Sequence, residues 1–128
     1  MRVLLDTHTF IWWDNDRARL SSKAYEICQD NQNTLYLSLA SIWEIQIKIQ
    51  LGKLSLPLAL PAMVANQVQQ NDLELLPVSP EHIYALDNLA MHHKDPFDRI
   101  LIAQAQIESL DFLSADAKIR RYPISVIW

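Results

Sequence analysis

Five acidic side chains stand where carboxylates can act together. Asp6 ends the apolar run 3–5, and Asp116 lies just past another apolar run. Glu44 sits in Ser41-Ile42-Trp43-Glu44-Ile45, and Asp95 and Asp98 enclose Pro96-Phe97. Carboxylates that share a site repel one another unless cations neutralise them. Mg²⁺ suits such a site, because it takes oxygen ligands, keeps waters and combines one or two carboxylates with a substrate phosphate. One or two such ions can activate a water and stabilise the leaving oxygen of a phosphodiester. Phosphodiester hydrolysis is the expected chemistry, with Mn²⁺ able to replace Mg²⁺ and no Ser, Cys or His nucleophile required.

The elements that must position these acids follow from the patterning. Residues 2–6 read as a short buried strand, an apolar run closed by an acid. A helix is expected over 7–13, and a second over 21–29, capped by Ser21 or Ser22. Residues 35–38 form the second strand. The stretch 41–51 alternates like a strand, yet Ser41-x-x-Glu44 matches a capping box and Gly52, the only glycine in the chain, sits where a helix ends. It is read as a helix. A helix over 60–70 has Pro61 near its start. A strand over 73–78 and a helix over 80–91 come next, the latter opened by Ser79 and Pro80. The clearest helix is 96–109, with Asp95 as cap and Asp98 in its first turn. Strands over 111–114 and 124–127 complete the set. Strands alternating with helices imply a parallel sheet covered on both faces. In such sheets ligands bind beyond the carboxyl ends of the strands, where Asp6 and Asp116 fall.

Composition sets the outer limits. At 128 residues, half of them hydrophobic and 20% charged, the chain fits one globular domain over 1–128. No apolar run approaches the roughly 18 residues of a membrane span. The run at 3–5 is far shorter than a secretory core of about 7–15 residues. Cys28 is the only cysteine, which excludes an internal disulfide and fits a reducing cytoplasm. A net charge of −4 argues against nucleic acid at first sight. Acids gathered around cations would leave the rest of the surface less acidic than the sum, and Arg17, Arg19 and Lys23, with Lys118, Arg120 and Arg121, form two local basic groups.

At the acids the chain resembles the PIN-domain ribonucleases, and within them the VapC-type toxins of bacterial toxin–antitoxin pairs. The resemblance lies in Leu4-Leu5-Asp6-Thr7-His8, Ser41-Ile42-Trp43-Glu44-Ile45, His93-Lys94-Asp95-Pro96-Phe97-Asp98-Arg99 with Ala103-Gln104-Ala105, and Ser114-Ala115-Asp116. The last differs from the family's Thr-x-Asp by a serine, which keeps a hydroxyl. Each motif is weak alone, but four in order are specific. The resemblance implies that Asp6, Glu44, Asp98 and Asp116 are the catalytic acids and that they hold metal, with Asp95 a further candidate ligand. It implies RNA as substrate, a homodimer, and neutralisation by a cognate antitoxin. The fold expected is a three-layer α/β/α sandwich on a mainly parallel five-stranded sheet in the order 3-2-1-4-5, which sets Asp6 beside Asp116. Arg99 or a lysine is the candidate for phosphate contact.

Plainer roles compete at each position. Asp6 suits a helix cap, Glu44 suits the capping box of Ser41, and Asp116 suits a turn. His8, His92 and His93 suggest zinc, but no HExxH-like helix accompanies them. Trp12, Trp13 and Trp43 could stack on bases, although a tryptophan beside an apolar run belongs more often to a core or an interface. Two other functions remain in contention. A non-catalytic PIN-like module that binds RNA or protein would be expected to lack some of the acids, and all four are present. A phosphotransfer enzyme of the haloacid-dehalogenase type would want Asp-x-Asp after the first strand, where this chain has His8.

Overall fold

The structure, a computed structural model, describes residues 1–128. Five strands, β1 (Arg2–Leu5), β2 (Thr34–Ser38), β3 (Glu74–Leu76), β4 (Asp111–Leu113) and β5 (Val126–Ile127), form one sheet in the order β3-β2-β1-β4-β5. Every pairing is parallel, with Val3 opposite Leu35 and Leu5 opposite Leu113. Six α-helices cover it: α1 (Thr7–Asn15), α2 (Ser22–Gln29), α3 (Leu39–Gln50), α4 (Leu60–Asn71), α5 (Pro80–Tyr84) and α6 (Pro96–Glu108).

The alternation of β1 explains the layers. Val3 and Leu5 join Phe10, Trp13, Leu37 and Met63 on one face. Leu4, pointing the other way, joins Leu101, Ile102 and Phe112 on the opposite face. Residues of a strand alternate between faces, so a central strand must be apolar on both. This is the expected three-layer α/β/α sandwich, and the strand order also agrees. No helix is long and apolar enough to cross a membrane.

Three local expectations need correction. The helix after β2 begins at Leu39, not at residue 41, because Ser38 closes the strand and its hydroxyl accepts the Ala40 N–H at 3.0 Å. Ser41 therefore lies inside α3 and makes no capping box. Its end is as expected, with Gly52 at φ +70° just beyond the cap residue. The helix expected over 80–91 stops at Tyr84 and tightens to a 3₁₀ turn over Ala85–Asn88. The carbonyls of Leu89 and Ala90 accept hydrogen bonds from the Arg99 guanidinium, which holds this chain segment away from a helical path. The edge strands β3 and β5 are also shorter than the apolar runs that suggested them.

Candidate active site

The site lies beyond the carboxyl ends of β1 and β4. The ladder between them continues one residue past β1, where the Asp6 N–H donates to the Leu113 carbonyl at 3.1 Å. Asp6 is the N-cap of α1, and its Oδ1 accepts the Thr7 N–H at 2.8 Å. Its Oδ2 accepts from the Ser114 hydroxyl at 2.7 Å, and the same serine oxygen accepts the Asp116 N–H at 3.1 Å. Ser114 thus ties the two strand-end acids together, the task its hydroxyl could perform as well as a threonine's. A cap role for Asp6 and a place in an acid cluster coexist.

Helix α6 delivers the next acid. Asp95 caps it, with Oδ1 accepting from both Phe97 N–H (2.8 Å) and Asp98 N–H (3.1 Å). Pro96 fills the first turn, where no amide hydrogen is needed. Asp98 then turns towards Asp116, and the two carboxylates lie 3.0 and 2.9 Å from one atom, His93 Nε2. Glu44, from the second turn of α3, is buried; its Oε2 meets Lys48 Nζ at 3.0 Å, and its Oε1 is buried without any partner. The Ser41 hydroxyl, one turn earlier, pairs with Thr7 Oγ1 at 2.9 Å and locks α3 against α1.

The acids feel one another. Burial, together with the charges of Asp6, Asp95, Glu44 and Asp116, pushes the Asp98 carboxyl up to about 8. Burial also raises Asp6, against the opposing pull of the Ser114 hydrogen bond and His8. Asp116 goes the other way: partial burial is outweighed by the Lys118 N–H and by His93, so its carboxyl is held below the ordinary range. Neighbouring carboxyls pushed apart in this way mark sites of proton or metal chemistry.

His93 is the residue whose role the sequence did not disclose. Its Nδ1 accepts the Asp95 N–H at 3.1 Å, so the ring proton sits on Nε2, which donates to Asp116 at 2.9 Å. His93, Asp98 and Asp116 do present ligand atoms within 4.8 Å of one another. With its proton on Nε2, however, His93 is a donor to the acids and not a ligand beside them. Its backbone is pinned by the Tyr122 hydroxyl (2.8 Å) and by Arg99 (3.2 Å). Arg99 itself donates to the carbonyls of Leu86, Leu89, Ala90 and His93. The expected phosphate contact by Arg99 is thereby replaced by a scaffold role. The only advance signal for His93 was its place two residues before Asp95.

The residues present fit a hard divalent cation. The donors are carboxylate oxygens, Glu44 Oε1 has no protein partner, and burial together with the neighbouring acids raises the Asp98 carboxyl, a cost that a bound cation would relieve. Fold and donor set define a class: a doubly covered parallel sheet with a carboxylate cluster at its switch point. The family model for the PIN domain matches residues 3–124, and the chain belongs to that family. No curated protein matches the chain in sequence. Among solved structures, VapBC2 from Rickettsia felis bound to a DNA fragment from its promoter is similar with a TM-score of 0.72 at 15% identity, over 99% of this chain and 98% of that one. FitAcB from Neisseria gonorrhoeae gives 0.67 at 15% identity, over 98% and 96%. A toxin–antitoxin complex from Klebsiella pneumoniae gives 0.61 at 17%, over 98% and 96%. At these identities the likeness is one of fold.

Proposed function

We propose that residues 1–128 act as one metal-dependent endoribonuclease domain, the toxin of a toxin–antitoxin pair, working as a cytoplasmic homodimer. The observation that carries the reading is the meeting of Asp6, Glu44, Asp98 and Asp116, delivered by four separate elements, with a buried acceptor on Glu44 that no protein group satisfies. A non-catalytic binding module gains nothing from burying like charges together, which costs stability.

In this reading Asp6, Asp98 and Asp116 hold Mg²⁺ or Mn²⁺, and Glu44 joins them as a ligand or accepts the proton of the attacking water. The bound cation neutralises the acids and supplies Lewis acidity for phosphodiester hydrolysis. The chain's own groups set the geometry. Ser114 and the Thr7 N–H fix both oxygens of Asp6. His93 and the Lys118 N–H fix those of Asp116. Asp95 stays a cap, its Oδ1 engaged by two amides, and acts on the ion only through its charge.

The antitoxin reading is supported by the partners in the solved structures that share the fold, and by two apolar clefts of 670 and 470 Å³ on either side of Trp43. Trp43 is 64% exposed, and Leu39 and Ile83 beside it are also exposed. An apolar peptide segment fits these clefts, and an arginine or lysine on it would reach the acids next door in place of the metal.

The test is cleavage of cellular RNA by the purified chain with Mg²⁺, with EDTA, and with EDTA followed by excess Mn²⁺. Activity that vanishes and returns supports the mechanism. Undiminished cleavage in excess chelator sinks it, and no cleavage under any condition favours the non-catalytic module.

A further inference from the structure

Helical periodicity places residues four apart on one face, and in α1 this pairs His8 with Trp12 directly after Asp6. Their ring centroids lie 5.9 Å apart at 36°. Trp128 meets Trp12 edge-on at 5.9 Å, and the Arg19 guanidinium lies 5.2 Å over the indole. Between these rings and the acids opens a cleft of 300 Å³, lined by Asp6, His8, Thr9, Trp12, Ala115 and Asp116. Its volume is at the lower end of the roughly 300–1,000 Å³ typical of small-molecule sites. Among the larger clefts of the molecule it alone contains acids of the site. The Arg19 guanidinium lies over Trp12 at its rim, and the Lys118 backbone N–H binds Asp116 Oδ1 at 2.9 Å.

We propose that this cleft receives an unpaired nucleobase of single-stranded RNA, from the nucleotide adjoining the bond to be cut. The inference rests on the ribonuclease reading and adds where the substrate lies. An aromatic wall accepts any base by its π-face, and a nearby guanidinium adds both stacking and phosphate attraction. A base in a duplex could not enter, because its faces are already stacked. The clefts beside Trp43 are excluded for this ligand, since neither is lined by an acid of the site, whereas Asp6 and Asp116 line this one. His8 and Trp12 thus orient the chain of the substrate so that its phosphate falls at Asp6 and Asp116.

The four tryptophans are natural reporters. The full-length chain carrying Asp98→Asn, which blocks cleavage, is labelled with 5-fluorotryptophan and titrated with a hexamer of adenosine ribonucleotides in Mg²⁺. Fluorine NMR should show the Trp12 resonance moving and those of Trp13 and Trp43 staying in place. A hexamer with abasic sugars should leave Trp12 unmoved. Adding His8→Ala, at an exposed position, should weaken binding on the order of tenfold. Movement of Trp43 in place of Trp12, a silent Trp12 with bound hexamer, or no binding would each overturn the proposal. Cleavage by the unmodified chain separates the two readings. RNA cut while Trp12 stays silent discards the cleft alone, whereas hexamer at Trp12 without cleavage keeps the cleft and discards hydrolysis.

Discussion

Aromatic pairs flank the acids on two sides, and the flanks differ in what surrounds the rings. His8 and Trp12 share a cleft with Asp6 and Asp116, and the Arg19 guanidinium lies over Trp12. Trp43 and Phe97, whose rings meet edge to face at 5.4 Å, open onto clefts lined almost wholly by aliphatic and proline side chains. Both pairs lie close in sequence to acids of the site: His8 follows Asp6 by two residues, Trp43 precedes Glu44 and Phe97 precedes Asp98. Aromatic content therefore does not distinguish a surface for nucleic acid from one for protein. The lining beside the rings does: the cleft at Trp12 includes Asp6 and Asp116 next to the Arg19 guanidinium, whereas no charged residue lines the clefts at Trp43.

The largest effect tests the centre that both flanks share. Asp98→Asn, and separately Asp6→Asn, should lower RNA cleavage on the order of a thousandfold, the rate equivalent of the several kcal/mol that a bound cation contributes. Partner affinity should fall far less, since the apolar clefts at Trp43 stay intact and only one acid facing the partner's cation is lost. Loss of both properties in a folded variant would mean that the two surfaces are one.

Next in size is the apolar flank. A tryptophan seated at the middle of an interface commonly contributes about 2–4 kcal/mol. Trp43→Ala should therefore weaken binding of the neutralising partner by roughly thirtyfold to a thousandfold, as read by calorimetry. The loss in partner affinity should exceed any loss in cleavage rate. The reverse ratio would assign Trp43 to the substrate and dissolve the contrast between the flanks.

How far the comparison could have been drawn from sequence depends on the kind of signal. The strands before Asp6 and Asp116 were legible because a doubly buried parallel strand must be apolar on both faces, and the acid that ends the run is conspicuous. The cap at Asp95 was legible because Pro96 leaves few alternatives. Ser41 was misread because Ser38 and Ser41 both precede the helical pattern, and only the end of β2 decides between them. The true end of α5 depends on Arg99, a residue more than ten positions later in the chain whose guanidinium gathers carbonyls from a loop. His93 was quoted within its motif and weighed only as a zinc ligand, because its hydrogen-bonding role follows from a tautomer set by the Asp95 amide. Trp12 and Trp43 are both tryptophans near apolar runs, so nothing local separates the flank with charge from the flank without it.

A smaller effect concerns pH and the metal-free protein. Asp98 titrates near 8 in the folded chain, well above an unfolded aspartate at about 3.9. A group whose folded value is raised favours the folded state while protonated, so its contribution is full below about pH 4 and is lost as pH rises towards 8. The melting temperature of the metal-free chain should fall across that window relative to Asp98→Asn, whose curve lacks this component. Saturating Mg²⁺ should abolish the difference in slope. Parallel curves without metal would show that the acids are not in conflict.

The smallest effect separates a cap from a ligand at the point where the two flanks diverge. Asp95 Oδ1 accepts the amides of both Phe97 and Asp98, so one carboxylate oxygen fixes a ring of the apolar flank and an acid of the centre. Its amide also sets the His93 tautomer, but that bond belongs to the backbone and survives a side-chain change. Asp95→Ala should cost about 1 kcal/mol of stability, the usual consequence of losing an N-cap. Asp95→Asn and Asp95→Ser, which keep a capping oxygen, should recover most of it. Cleavage should fall only partly in Asp95→Ala and should recover only in part in Asp95→Asn and Asp95→Ser, because these restore the helix start that positions Asp98 but not the charge beside it. If Asp95→Asn restores the melting temperature but leaves cleavage as low as Asp98→Asn, then Asp95 touches the metal itself. The centre would then extend along α6 towards Phe97, and the apolar flank would begin at a metal ligand.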